Sequence, residues 1–273
     1  MTTGFHRPAA VAGMFYPGTT HALANEVAAM LEVADAHVVP TPAAKALIVP
    51  HAGYVYSGPV AASAYVRLLP HVASIARVVA FGPVHRVAVR GAAVPAADAW
   101  ATPLGEVPID AALRMRAVAR GAAVDDRPHA PEHALEVQLP FLQRVLVEGF
   151  TFLPVAVSEI SARATADLIG EFLGERGTLV LVSTDLSHYH DLETARRLDR
   201  TTADAILARE PENLSGEDAC GYYPLRGLLE LARRKALLVK MLDLRTSGDT
   251  AGDPVSVVGY GAFEVRSSLT KPF

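Results

Sequence analysis

The stretch Ala46-Leu47-Ile48-Val49-Pro50-His51-Ala52-Gly53-Tyr54 decides the fold. A short apolar run stops at a proline, and a histidine and a glycine turn follow before a predicted helix. In parallel α/β sheets, ligands bind just beyond the carboxyl ends of the strands. The pattern therefore predicts a buried strand with His51 at its exit, in the position of a candidate site residue.

Two later segments repeat this arrangement. The run Val78-Val79-Ala80-Phe81 leads to His85, and the run 178–182 leads to Asp185 and His188. Apolar runs alternate with amphipathic stretches along the chain, which is typical of a mainly parallel sheet with helices on both faces. We therefore predict one α/β domain over residues 1–273, built as a three-layer α/β/α sandwich.

Local signals predict several element boundaries. Pro59 is expected at the first position of a helix that ends near residue 69. Asp110 is expected to cap the start of a later helix. Pro140 lies within a helical pattern, so we expect a kink or a restart there. Pro40 and Pro42 are expected to end the connection to the first central strand.

Composition limits the classes of function. With 273 residues, 51% of them hydrophobic, the chain can bury a sizeable core. The net charge is −4 and no basic run exceeds Arg233-Arg234-Lys235, so we expect no nucleic-acid partner. No apolar run approaches the roughly 20 residues that span a bilayer, and the first residues do not resemble a signal peptide. A single cysteine excludes an internal disulfide, and we expect a cytoplasmic protein without a membrane partner.

Three separated residues offer metal donors. His51, His85 and Cys220 carry the imidazole and thiol groups that hold iron, copper or zinc. Taken singly, each has a structural explanation, as a hydrogen-bonded histidine or a small buried cysteine. Position favours a site, because both histidines leave strand ends and Cys220 stands in a glycine-flanked loop before a helix. The residues alone leave both explanations open.

Two further polar clusters have two interpretations each. Asp185 and His188 are three residues apart, which would place them on one face of a helical turn as an acid/base pair. The alternative is a capping aspartate with a surface histidine. Glu132, His133 and Glu136 would also share one side of a helix, where they orient metal ligands or form a solvated helix start.

The motifs together resemble those of the MEMO family, whose prokaryotic members are called AmmeMemoRadiSam system protein B. The resemblance covers nearly the whole chain, because the motifs occur in the family's order. They are Ala12-Gly13-Met14-Phe15-Tyr16, Pro50-His51-Ala52-Gly53-Tyr54, Gly82-Pro83-Val84-His85, Glu132 through Pro140, Ser183 through His188, Cys220-Gly221, and Val255 through Gly261.

The resemblance implies a fold related to class III extradiol ring-cleaving dioxygenases, with a metal site at the strand ends. By motif, the metal ligands would be His51, His85 and Cys220. Asp185 and His188 would be the catalytic residues, with His188 in the place of the dioxygenases' acid/base histidine. Further residues are assigned to the pocket or to the surroundings of the ligands: Glu136, His133, Tyr54, Phe15 and Tyr16.

The resemblance also implies a transition-metal cofactor, iron(II) or copper, with zinc as the alternative. Cys220 stands where the dioxygenases have a carboxylate ligand, and a thiolate is a softer and oxidisable donor. Ring cleavage therefore does not simply transfer to this chain. Phe15 stands where the animal member has a tryptophan, which separates this chain from that member's peptide contacts. Proteins of the AmmeMemoRadiSam system are the candidate protein partners.

Three functions follow from the sequence. The favoured one is an oxidoreductase, dioxygenase-like, that uses iron or copper and acts on an unknown small molecule. The second is a non-catalytic adaptor that binds a peptide or ligand in the same pocket. The third is a cysteine- or zinc-dependent hydrolase, in which His188 activates Cys220 as the nucleophile.

Overall fold

A computed structural model describes residues 4–35 and 43–268 of the chain. The predicted connection at Pro40 and Pro42 lies outside these residues. The helices are α1 (Thr20–Asp35), α2 (Tyr54–Tyr65), α3 (Ala111–Ala119), α4 (Leu139–Val145), α5 (Ala162–Gly170), α6 (Leu192–Ala208), α7 (Tyr222–Arg234) and α8 (Ser247–Thr250). The strands are β1 (His6–Arg7), β2 (Ala46–Val49), β3 (Arg77–Gly82), β4 (Gly91–Val94), β5 (Ala99–Thr102), β6 (Gly105–Pro108), β7 (Ala123–Val124), β8 (Thr151–Ser158), β9 (Thr178–Ser183), β10 (His188–His190), β11 (Leu238–Thr246) and β12 (Val257–Arg266).

The main sheet has a parallel centre and antiparallel flanks. Its order is β10-β12-β2-β9-β3-β8-β4-β7, and β11 also pairs with β12. The neighbours β2, β9, β3 and β8 are parallel, whereas β12 runs antiparallel to β2 and β4 antiparallel to β8. All four residues of β2 are buried, as expected for a strand covered on both faces. A small second sheet joins β1, β5 and β6.

Helices cover both faces of the main sheet, which confirms the predicted α/β sandwich. On one side α7 packs on β8 and β9 and against α5. On the other side α2 packs on β2, β11 and β12 and against α1 and α4. Within the part of the chain that the structure describes, no helix combines the length and the apolar character needed to cross a membrane.

Prolines and caps set several helix boundaries. Asp110 caps α3 as predicted, since its Oδ1 accepts the N–H of Leu113 at 2.9 Å. Pro140 restarts the helix, because a short 3₁₀ turn ends at Gln138 and α4 begins immediately after it. The prediction for Pro59 is wrong: α2 begins earlier, at Tyr54, and Pro59 lies inside it. The earlier start is stabilised by the N–H of Tyr54, which donates to the carbonyl of Phe15 at 2.7 Å.

The segment that carries Asp185 and His188 is not helical, so the predicted helical turn is wrong. Strand β12 holds this segment instead: Leu186 N–H donates to the Gly259 carbonyl and Gly259 N–H to the Ser187 carbonyl, both at 2.8 Å. His188 then opens β10, which pairs with β12. The predicted helical face shared by Glu132 and Glu136 is also absent, because only Glu136 belongs to the 3₁₀ turn.

Candidate metal centre

Three neighbouring strands deliver the predicted site residues to one edge of the sheet. His51 follows β2, His85 follows β3 and Asp185 follows β9, and these strands lie side by side in the order β2-β9-β3. Their carboxyl ends meet because the three strands are parallel. Residues distant in sequence therefore line one cavity of about 530 Å³. A larger cavity of about 720 Å³ between α1, α2 and β11 contains none of the predicted site residues.

His51 is held with one ring nitrogen free of its proton. The Ser183 hydroxyl donates to the carbonyl of Ala134 at 2.7 Å, so its oxygen accepts from His51 Nδ1 at 2.9 Å. The proton of the imidazole therefore lies on Nδ1, and Nε2 presents a lone pair. Burial lowers the pKa of His51 well below its usual range, and the neighbouring His85 lowers it further. This neutral imidazole is in the form that binds metal ions.

Glu132 holds His85 in the same tautomer. Its Oε1 accepts from His85 Nδ1 at 2.9 Å, and its Oε2 accepts the backbone N–H of His85 at 2.6 Å. Burial opposes ionisation, but hydrogen bonds and charge from His85 and backbone N–H groups lower the pKa of Glu132 to about 2. The group is therefore an ionised acceptor that fixes Nδ1 of His85 as a donor, so Nε2 is the ring atom left for a ligand. A carboxylate that orients an imidazole is the usual outer partner of a metal-ligating histidine.

His133 joins the two predicted imidazole ligands. One ring nitrogen from each of His51, His85 and His133 lies within 4.8 Å of the others. The His85 and His133 rings stack with their centroids 4.7 Å apart. Burial lowers the pKa of His133 to about 4, with a further contribution from His51. The sequence assigned His133 to the surroundings of the ligands, whereas its position here is that of a donor.

Cys220 lies against the free nitrogen of His51. Its Sγ is 3.2 Å from His51 Nε2 and accepts the backbone N–H of Asp185 at 3.3 Å. Burial raises the pKa of the Cys220 thiol, so the thiol keeps its proton and donates a hydrogen bond to Nε2. The imidazole partner is thus His51 and not His188, and the raised pKa is the opposite of what an activated nucleophile needs.

Gly221 allows Cys220 to approach the end of β9. A Cβ at this position would lie 2.5 Å from the Ser183 carbonyl oxygen and 2.7 Å from Thr184 Cβ. The N–H of Gly221 donates to Thr184 Oγ1 at 2.9 Å. The glycine after the cysteine therefore has a packing role that brings the sulfur to the histidines.

Asp185 and His188 line the same cavity. The Oδ1 of Asp185 accepts the backbone N–H of His51 at 2.7 Å, and its Oδ2 lies 4.0 Å from His51 Nε2. Burial raises the pKa of Asp185. His188 is half-buried, and Tyr189 after it has a φ of 62°, in the left-handed region that strains a residue with a side chain.

Glu136 holds the N-terminal segment and not the imidazoles. Its carboxylate accepts from Arg7 Nη1 and from the Tyr16 hydroxyl, each at 2.6 Å. It also accepts the backbone N–H groups of Ala10 at 2.7 Å and Val11 at 3.0 Å. The segment 7–16 is thereby fixed beside the site, so Glu136 and Tyr16 act through the position of this segment.

Two predicted aromatic residues take different places. Phe15 lines the cavity, and the centroid of its ring lies 4.6 Å from the centroid of the His133 ring. Tyr54 is buried, and its hydroxyl donates to the carbonyl of Val137 at 2.6 Å. Phe15 therefore forms part of the wall, whereas Tyr54 supports the turn that carries His133.

Several residues of the site were not assigned a role from sequence. Arg7 is buried under Trp100, with its guanidinium carbon 4.2 Å from the ring centroid. Its Nε donates to the His129 carbonyl and its Nη2 to the Glu132 carbonyl. Gln138 donates to Ser183 Oγ at 3.0 Å. Arg7 precedes the apolar segment 8–16 and belongs to no quoted motif, so no sequence signal marked it, whereas Gln138 stands within a quoted motif.

The buried His129 predicts a pH dependence of stability. Burial lowers its pKa to about 4, and its Nε2 donates to the Ala93 carbonyl at 3.1 Å. The unfolded chain therefore binds a proton at this histidine at a higher pH than the folded chain does. The contribution of His129 to the free energy of unfolding is fully present above pH 6.5 and is lost as pH falls toward 4. We expect the free energy of unfolding of the metal-free protein to fall by about 3 kcal/mol from this group. Denaturant titrations at several pH values measure it.

The variant His129→Gln removes this titration and keeps an N–H donor. Its stability should fall less steeply below pH 6.5 than that of the wild type. His21→Gln, on the exposed surface of α1, should leave the pH dependence unchanged. Equal slopes for His129→Gln and the wild type would contradict the assignment.

A family model and the sequences of known proteins identify the same family. The family model described as Memo-like protein matches residues 7–264. A MEMO1 family protein of Methanococcoides burtonii is 36% identical over 95% of this chain and 100% of its own length. MEMO1 family proteins of Aquifex aeolicus and Thermotoga maritima are each 36% identical over 93% of this chain and 97% of their own length. Among solved structures, the uncharacterized protein JW3007 of Escherichia coli K12 matches with a TM-score of 0.45 and 15% identity over 79% of this chain and 98% of its own.

Proposed function

The chain belongs to the family of Memo-like proteins, and on this premise we propose that it is a metal-dependent oxidoreductase acting on a small molecule. The proposed metal is iron(II) or copper, with zinc as the alternative. One observation carries the proposal: His51 and His85 each have Nδ1 fixed by a hydrogen bond, so Nε2 is the ring atom left to bind a metal, and both residues line one cavity. Two imidazoles so arranged are suited to a shared cation.

His133 and Cys220 supply the remaining donors in this proposal. His133 completes a face of three imidazoles. The Cys220 sulfur is 3.2 Å from His51 Nε2, so Cys220 would be close enough to bind a cation held by His51, once the thiol has given up its proton. Imidazole and thiolate donors suit copper, zinc and iron, and a bound iron or copper ion supplies redox chemistry at positions open to the substrate.

The protein's own groups would prepare the site in distinct ways. Glu132 fixes the orientation of His85. It also accepts the backbone N–H of His133 and so fixes the start of the turn that carries His133. Asp185 and His188 line the cavity as the groups that hold or move a proton near the substrate. Phe15 covers His133 from one side and limits the access of water.

Anaerobic purification followed by metal loading and elemental analysis tests the proposal. The wild type should retain about one equivalent of iron or copper, whereas His51→Ala and His85→Ala should fall to about a tenth or less. His21→Ala is the matched control on α1 and should load as the wild type does. Wild-type protein that retains less than about a tenth of an equivalent of any transition metal would overturn the proposed site.

Redox activity is a separate arm of the same experiment. The electron paramagnetic resonance signal of the bound ferric or cupric ion should disappear with ascorbate and return in air. A site that retains only zinc, or an ion whose oxidation state does not cycle, would rule out the oxidoreductase and keep the metal site.

A second candidate is a non-catalytic adaptor, and one surface feature favours it. Met14, Val55, Tyr189 and Val255 are 73%, 59%, 79% and 75% exposed, and each either lines the cavity or adjoins a lining residue in sequence. Apolar side chains around a cavity mouth are typical of a binding surface. The proteins of the AmmeMemoRadiSam system are the candidate partners. An adaptor of this kind should keep full partner binding in Cys220→Ser, and loss of binding together with the metal would speak against it.

A further inference from the structure

Arg86 is a charged residue at the mouth of the cavity without an acidic partner. It directly follows His85, is exposed, and lines the 530 Å³ cavity. Among the residues that the structure describes, no carboxylate pairs with it. Arg90, four residues later, pairs with Glu159 at 3.2 Å even though its side chain is 92% exposed. Arg86 is therefore available to a ligand.

The acidic groups near Arg86 are already used within the protein. Glu132 accepts from the ring and the backbone of His85, and it also accepts from the backbone N–H groups of His133 and Ala134. Asp185 accepts the backbone N–H of His51. Asp253 also lines the cavity; its Oδ1 accepts the backbone N–H of Val255 at 2.9 Å, and no ion pair joins it to Arg86 among the described residues. Arg86 is also the one lysine or arginine among the described residues that line this cavity.

Aromatic side chains form part of the remaining lining. Phe15, Tyr56 and Tyr189 line the cavity together with Arg86. Flat rings of this kind pack against planar, conjugated molecules. The lining therefore combines flat aromatic surfaces with one arginine, beside the carboxylate of Asp253, which forms no ion pair with the described residues.

We propose that Arg86 anchors an oxyanion, a carboxylate or phosphate group, on a small planar ligand that enters this cavity. A guanidinium presents a planar fork of N–H donors that matches both groups in two-point contact. Because Arg86 and His85 are neighbours in sequence and both line the cavity, one small molecule bound there can contact both the arginine and the imidazole. The inference rests on the proposed function, in which the histidines hold a metal that contacts the other end of this molecule. It identifies the substrate class as small organic anions.

Ligand-observed NMR titration with three matched probes tests the proposal. Benzoate and phenyl phosphate carry the two anions, and benzamide is the uncharged counterpart of benzoate. Each is titrated into metal-free and zinc-loaded protein at low ionic strength. At least one anion should bind about fivefold or more tightly than benzamide, and added salt should reduce the difference. The tighter anion identifies the preferred headgroup.

The variants assign this preference to one side chain. Arg86→Gln should remove the preference, and Arg86→Lys should retain part of it as a point charge. Arg90→Gln is the matched control outside the cavity and should behave as the wild type. Equal binding of all three probes by the wild type, or an undiminished preference in Arg86→Gln, would overturn the proposal.

Metal content measured on every sample separates this inference from the proposed function. A preference that depends on Arg86 in a protein unable to hold a metal would leave the anion site standing and remove the oxidoreductase. A fully loaded protein without any preference would remove the anion site alone.

Discussion

Replacement of Glu136 by glutamine is expected to lower the free energy of unfolding by about 3–5 kcal/mol, because it leaves the buried Arg7 guanidinium without its counter-charge. The Glu136 and Arg7 side chains are 0% and 4% exposed, and their charged atoms lie 2.6 Å apart. The same carboxylate accepts from Tyr16 and from two backbone N–H groups of the N-terminal segment. The loss therefore includes the attachment of the segment that carries Phe15.

Denaturant titration with circular dichroism measures this loss. Glu212→Gln is the matched control, because Glu212 is 58% exposed and pairs with Arg233 at the surface. That change should cost less than about 1 kcal/mol. If Glu136→Gln does not fold, Tyr16→Phe removes one of the donors and should cost about 1–3 kcal/mol. A cost for Glu136→Gln, or for Tyr16→Phe in its place, no larger than that of the control would contradict the assigned role.

Replacement of Glu132 by glutamine is expected to reduce metal affinity by about 10- to 100-fold. The ionised carboxylate accepts from Nδ1 of His85, and its pKa of about 2 keeps it charged at neutral pH. An amide in its place does not enforce the same tautomer and offers one fewer acceptor. His85 would then also populate the tautomer with its proton on Nε2, in which Nε2 has no lone pair for a metal.

Competition with a chelator of known affinity measures this effect. Glu159→Gln, at the exposed pair with Arg90, is the matched control and should leave the affinity unchanged. Circular dichroism shows whether each variant is folded at the temperature used. Unchanged metal affinity in a folded Glu132→Gln protein would contradict the orienting role of this carboxylate.

The central strands of the sheet could be predicted because the local sequence of a buried strand is recognisable. Parallel strands covered on both faces read as continuous apolar runs, and the runs that become β2, β3 and β9 were found in this way. The start of α2 could not be predicted from Pro59. It depends on a hydrogen bond from Tyr54 to Phe15, a residue in a separate part of the chain.

The candidate site was predicted in part for the same reason. His51 and His85 follow strands, and parallel topology brings the ends of neighbouring strands together. The segment of Asp185 and His188 was predicted as a helical turn, yet β12 captures it as an extended chain. The place of His133 beside the other imidazoles depends on how the turn after residue 128 packs, and no local pattern encodes that packing.

The different roles of Glu132 and Glu136 also could not be predicted from the local sequence. The two carboxylates are four residues apart, and a helix would have placed them on one side. In the structure one holds His85 and the other holds the N-terminal segment. Their partners lie 47 and 129 residues away along the chain, so only the tertiary fold separates the two roles.

X-ray absorption spectroscopy of the metal-loaded protein determines whether the histidines and Cys220 are its ligands. We expect imidazole nitrogens at about 2.0–2.1 Å from the ion and one sulfur at about 2.3 Å, with the sulfur lost in Cys220→Ser and imidazole scattering reduced in His85→Ala. An ion surrounded by oxygen atoms alone, or one whose surroundings do not change in these variants, would rule out this metal centre.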